Sequence, residues 1–216
     1  MVKMAQSQIF SGEFRDQFHE LLIWRRDVRR FRREPLPPGL LRKLLDLATL
    51  APSVGLSEPW RFVLVERAET RAGIRAVFQQ SNAEALAGYS GEQAALYAGL
   101  KLSGLDEAPV HLAVYADRLT QQGSGLGRAT MPEMLEYSTV GAITTLWLAA
   151  RAWGVGMGWV SILDPQRVNT ILSVPGEWQL VAYLCLGYPE AEAAIPELER
   201  AGWEHRRREP LPLLER

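Results

Sequence analysis

The sequence predicts an α+β fold, one sheet with helices packed on it, and three observations carry that expectation. Helix-like and strand-like segments mix without the steady strand–helix–strand alternation of a doubly wound sheet. Residues 137–153 form a long, largely apolar helical stretch, which is expected to lie buried against the sheet. Hydrophobic residues make up 47% of the 216, with seven tryptophans, ample for a packed core. A chain of this length is expected to form a single domain.

Phe14, Phe18, Leu21 and Leu22 recur at helical spacing behind Ser11, a residue type that caps helix N-termini. A first helix ending near Trp24 follows, with a run of arginines at its end or just beyond. "PLPP" then breaks the chain, and Pro38 suits the opening of a second helix with an apolar face of Leu40, Leu41, Leu44, Leu45 and Leu47. Residues 51–60, "APSVGLSEPW", are too rich in Pro, Gly and Ser for a regular element and read as a loop. Residues 61–66 read as a strand, 70–80 as a helix, and 81–103 as helix-compatible with weak patterning. The apolar run at 109–117 is a second strand. Residues 119–134, which contain "GSGLG", are expected to be a flexible loop. The helix at 137–153 is stopped by Gly154, in the position a C-cap prefers. Residues 154–163 read as a strand weakened by three glycines. Asp164 caps a helix that begins at Pro165. Residues 178–189 are the last strand, followed by a charged tail.

The totals exclude several classes. Lys and Arg number 24 against 25 Asp and Glu, so the chain as a whole offers no field for nucleic acid or an anionic membrane. Cys185 is the single cysteine and sits in an apolar run, which rules out an internal disulfide and predicts a buried thiol. The first residues lack the continuous apolar region of a secretory signal, and no stretch approaches the ~20 apolar residues that span a bilayer. A cytoplasmic location is expected. His19, His111 and His205 are scattered, so no metal site is expected, and no GxSxG nucleophile elbow is present.

Three stretches could carry chemistry. Residues 25–33, "RRDVRRFRR", concentrate six arginines around Asp27, a local charge of +5 in a chain of net charge −1. Arginine's planar fork of donors suits phosphate oxygens, although a solvated helix end would look the same. Asp27 suits a group that orients or accepts a proton as a carboxylate, and equally a plain ion pair. Ser53, Gly55 and Ser57 supply small polar groups in a loop entering a strand, the kind of rim that binds cofactors or merely connects elements. "GVGMGWVS" places three glycines within five residues of a strand. A flat ring against the backbone, which Ser161 would face, is one reason for them, and close packing is the other. The tail "HRRRE" is a second basic cluster that would complete an anion site if the chain ends meet.

Together, "RRDVRRF", "APSVGLSEPWRF", "GRATMPEMLEYSTVGAITTLWLAARAWGVGMGWVSIL" and "LGYPE…AGWEHRR" resemble the flavin-dependent nitroreductase superfamily and, within it, the 5,6-dimethylbenzimidazole synthase branch. The match spans about residues 20–208. The resemblance implies a mostly antiparallel central sheet flanked by helices, in an intertwined homodimer that binds flavin mononucleotide (FMN). It implies that reduced FMN is the substrate, with dioxygen as co-substrate, and that dimethylbenzimidazole and erythrose 4-phosphate are products. A separate flavin reductase would supply the reduced FMN.

Carried onto this chain, Asp27 and Ser161 match the catalytic pair. Arg25, Arg26 and Arg29 match the phosphate and ribityl contacts, with Val28 among them. Ser53 and Gly55 match the loop beside the flavin, and Gly158, Trp159 and Val160 the strand facing its ring. Arg206 or Arg208 matches a terminal basic contact. Residues 81–135 would form a lid and 189–216 a C-terminal extension. The competing reading is an NAD(P)H-dependent nitro- or quinone reductase that recycles FMN as a cofactor.

Overall fold

Leu112 and Val114 lie on one side of their strand and Ala113 and Tyr115 on the other, and all four are buried. A strand covered on both faces needs a layer on each side of its sheet. The computed structural model, which describes residues 9–207 and 212–216, has that arrangement. Its elements in order are α1 (Gly12–Trp24), α2 (Leu40–Ala48), β1 (Trp60–Leu64), α3 (Ala68–Ala87), α4 (Gly91–Gly99) and β2 (Val110–Asp117). There follow α5 (Met134–Ala152), β3 (Gly156–Val160), α6 (Pro165–Leu172), β4 (Trp178–Gly187) and α7 (Glu197–Arg200). Short 3₁₀ turns occupy Val54–Leu56 and Gln122–Gly125.

The strands form one sheet in the order β1-β2-β4-β3, every neighbouring pair antiparallel. On one face, Leu44 and Ala48 of α2 and Ile143, Leu146 and Ala150 of α5 pack on Leu112, Val114, Met157 and Leu184. On the other, Ile74 and Val77 of α3 and Val168 of α6 pack on Ala113, Tyr115, Val160, Tyr183 and Cys185. Burial of each large side chain contributes roughly 1.5–3 kcal/mol, which holds both layers to the sheet. Cys185 is a buried core thiol, and burial pushes its pKa up to about 12.

Several boundaries differ from the sequence reading. Residues 70–80 extend into one long helix, α3, and the weakly patterned stretch breaks at Gly88, its C-cap, before Ser90 starts α4. The strand expected over 154–163 shrinks to β3, because Gly154, with φ +71°, ends α5 and only the segment opposite β4 pairs. Residues 81–135 cannot move as one lid, since they contain the central strand β2. The loop at 119–134 is docked on residues 53–57: a Cβ at Gly55 would lie 2.8 Å from the Leu126 carbonyl oxygen, and one at Gly123 would overlap the backbone of Gly55. No residue of α1 is buried in the single chain, and Phe14, Phe18 and Leu22 stay exposed. Among the described residues no helix is long and apolar enough to cross a membrane.

His111 of β2 is buried with its Nδ1 3.0 Å from the Tyr183 hydroxyl. Burial, aided by the charges of Arg71 and Arg75, lowers its pKa to about 4. Unfolding raises that pKa toward ~6.5, so the unfolded chain binds the proton first as pH falls. The stability is therefore whole above pH ~6.5 and drains between there and about 4, by roughly 3 kcal/mol at the limit. Urea titrations at pH 7 and 4.5 should show this loss, and His111→Gln should flatten that part of the pH dependence.

Candidate active site

The site starts where α1 stops. Arg25 is the C-cap of α1 in an extended conformation, so the chain leaves the helix and runs beside β3. Asp27 forms a parallel bridge with Met157, the Val28 N–H donates to the Met157 carbonyl at 3.0 Å, and Phe31 bridges Pro189. This close approach explains the glycines of β3. A Cβ at Gly158 would overlap the carbonyl oxygen of Val28, and one at Gly156 would meet Val28 Cγ2 at 2.8 Å. The chain's own backbone fills the face where a ring was one expectation.

Asp27 is fixed at both carboxylate oxygens. Oδ1 accepts the Trp159 N–H at 2.9 Å and Oδ2 accepts Nε–H of Arg29 at 2.8 Å. Its side chain remains 32% exposed, so it is oriented yet reachable. Arg29 is also tied to the Lys101 carbonyl at 3.1 Å. Within the arginine run, carboxylates thus claim Arg29, and also Arg30 through Glu197 at 3.4 Å and Arg32 through Glu34 at 3.3 Å.

Arg25 and Arg26 differ. The Arg25 guanidinium lies 4.9 Å from the Trp147 ring centroid, and Arg26 donates to the carbonyls of Ala194, at 2.8 Å from Nε, and Arg25. Neither has a carboxylate partner among the described residues, and the same holds for Arg206. Burial, then the charges of Arg206 and Arg25, lower the pKa of Arg26, so the tail's positive charge is felt at the arginine run. Cations brought together without counter-charges favour an anion, and their forked donors fit a phosphate monoester. A cavity of about 340 Å³ opens beside them, lined by Arg26, Asp27, Arg29, Trp147 and Met157.

The remaining candidates are placed differently. Trp159 is half-buried, its ring 6.4 Å from that of Trp147. Val160 is buried in the α3/α6 core, which leaves only its backbone to face a ligand. Ser161 is exposed just past β3, two residues or about 7 Å along the strand from Trp159. Ser53 Oγ accepts the Glu58 N–H at 3.1 Å, and the Val54 N–H donates to Ser138 Oγ at 3.0 Å. Ser138 lies near the start of α5, whereas Trp147, whose indole N–H donates to the Arg26 carbonyl at 3.2 Å, lies nine residues on. The Ser53–Gly55 loop is therefore about 14 Å along α5 from the arginine run of its own chain. Arg208 lies outside the described residues. Trp147 and Ala194 border the site without having been singled out. Trp147 sits in a helix so apolar that its indole reads as core, and Ala194 acts through a backbone contact that no local pattern marks.

Comparison with known proteins identifies the family. The model of the Nitroreductase family matches residues 22–188. A 5,6-dimethylbenzimidazole synthase of Rhodospirillum rubrum is 54% identical over 208 residues, covering 96% of this chain and 99% of that protein. A 5,6-dimethylbenzimidazole synthase of Rhodobacter capsulatus is 48% identical over 195 residues, covering 90% and 94%. The crystal structure of oxidized iodotyrosine deiodinase bound to FMN and 3-iodo-L-tyrosine superposes with a TM-score of 0.72 at 25% identity, over 92% of this chain and 98% of that one. With an antiparallel sheet between helical layers and an acid held among arginines, the chain belongs to the nitroreductase family, as an enzyme of its 5,6-dimethylbenzimidazole synthase branch.

Proposed function

We propose that this enzyme carries out the oxygen-dependent fragmentation of reduced FMN, giving 5,6-dimethylbenzimidazole, the lower ligand of cobalamin, and erythrose 4-phosphate. The observation that carries the reading is Asp27, held at both oxygens beside two arginines that have no carboxylate partner among the described residues. Bound there, reduced FMN would supply the electrons that dioxygen takes up and the ring that is broken.

Arg25, Arg26 and Arg206 hold the phosphate, so binding energy from the unreacting end orients the part that is consumed. Asp27 takes or gives a proton beside the sugar chain, and Ser161 presents a hydroxyl from the end of β3. Trp159 and the backbone of Val160 border the ring. Ser53 and Gly55 complete the rim from a second copy of the chain, since their own loop lies at the far end of α5. A homodimer is supported further by the exposed Phe14, Phe18 and Leu22 of α1 and Tyr137 and Val140 of α5, apolar surface that a partner would cover. Residues flanking β2 between 81 and 135 exclude water, and a separate flavin reductase delivers the reduced FMN.

The test is product analysis after aerobic incubation with chemically reduced FMN. Dimethylbenzimidazole and erythrose 4-phosphate, with flavin lost in proportion, are the expected result. Intact flavin and steady NAD(P)H consumption would assign the protein to the nitro- or quinone reductases instead.

A further inference from the structure

We propose that Trp203 latches the C-terminal segment bearing Arg206 onto the corner between α3 and α4, so that the phosphate clamp and that corner close as one unit. The proposal rests on the reading that the converged arginines take the phosphate of FMN.

Trp203 is half-buried while every other residue of 201–207 is exposed. Its ring stands edge-on to Tyr89, with centroids 5.6 Å apart at 89°, and meets Tyr97 at 6.0 Å and 64°. The two tyrosines stack at 4.9 Å, and Tyr97, itself buried, donates its hydroxyl hydrogen to Asn82 Oδ1 of α3 at 2.8 Å. The wedge is thus seated on a fixed platform. On its own side, the Trp203 N–H donates to the Leu198 carbonyl at 2.9 Å and Gly202 takes φ +76°, which folds the segment back behind α7 and sets the indole toward the corner.

Upstream, the same segment is tied to the arginine run through Ala194 to Arg26 and Glu197 to Arg30. It therefore has two anchors, one on the clamp and one on the aromatic corner, and Arg206 follows the second by three residues. A side chain on an otherwise exposed terminal segment loses much conformational freedom on gripping a ligand, and a tether that orders it beforehand removes most of that cost. The corner is coupled from its other side as well, because Arg29 holds the Lys101 carbonyl just after α4. Trp203 is a positioning residue: it acts through Arg206 and the corner.

Affinities for oxidised FMN and for riboflavin, which lacks the phosphate, measured by flavin fluorescence test this in wild type, Trp203→Leu, Trp203→Phe, Arg206→Ala and the Trp203→Leu/Arg206→Ala double variant. Removing two edge-to-face aromatic contacts should weaken FMN roughly tenfold in Trp203→Leu and leave riboflavin unchanged. Trp203→Phe should restore most of the FMN affinity, and the double variant should be no weaker than Arg206→Ala. Hydrogen exchange should show FMN protecting residues 89–99 in wild type and not in Trp203→Leu.

Equal weakening of both flavins by Trp203→Leu, or losses that multiply in the double variant, would overturn the latch while leaving the clamp intact. Should Arg206→Ala keep full FMN affinity, with wild type binding both flavins alike, the phosphate reading fails and the latch falls with it.

Discussion

Asp27→Asn is expected to cut the rate of flavin breakdown by ~10²–10⁴-fold, the range a placed proton-transfer group contributes. The substitution preserves shape, and the amide oxygen can still accept the Trp159 N–H that Oδ1 accepts at 2.9 Å. What it removes is the ability to take a proton and the charge that faces Arg29. That arginine is 14% exposed and would lose its carboxylate, so a modest fall in stability, of about 1.5–3 kcal/mol, accompanies the change. Single-turnover product formation and thermal melting on the same sample separate the two effects. A folded variant that still destroys flavin at the wild-type rate would remove Asp27 from the chemistry and leave it an ion-pair partner.

Gly158→Ala should have the largest effect on stability, although it adds one methyl group. The new Cβ would overlap the Val28 carbonyl oxygen, and backbone on both sides cannot yield as a flexible side chain would. Relief requires residues 27 and 28 to leave the edge of β3, breaking the Val28 to Met157 and Trp159 to Asp27 hydrogen bonds. Overpacking costs roughly 1–3 kcal/mol and each lost hydrogen bond about 1 more, so a loss of ~3 kcal/mol or greater is expected in urea unfolding. Activity should fall with it, because Asp27 is carried out of place. Gly176→Ala is the control, since a Cβ there meets nothing within 4 Å and the backbone needs no special conformation. Identical unfolding midpoints for the two variants would refute this account of the glycine.

Much of the fold was legible because it is written in neighbouring residues. Ser11 caps α1 by accepting the Phe14 N–H, and Asp164 caps α6 by accepting the Gln166 N–H, both at the positions their types suggest. The arginine run does begin at the end of a helix. The resemblance named the family, and Asp27 stands beside Met157 at the edge of β3. Other features were opaque. The apolar spacing of α1 gave a helix, but it did not show that Phe14, Phe18 and Leu22 would stay exposed among the described residues. Val160 was expected at a ring and lies in the core, because alternation along β3 turns its side chain to the opposite face.

By itself the sequence determined most of the segments that become helix or strand, the N-caps of α1 and α6, and that positive charge gathers beside one acid. Those properties depend on residues a few positions apart, whose sterics and hydrogen bonds act before any tertiary contact forms. Only the folded structure decided which arginines find a carboxylate, why β3 needs glycine, and that the charge of Arg206 is felt at Arg26. These outcomes depend on pairs such as Asp27 with Trp159, 132 residues apart, and Arg26 with Ala194, 168 apart. Contacts at such separations are set by how the sheet and its two helical layers stack, which no local pattern encodes.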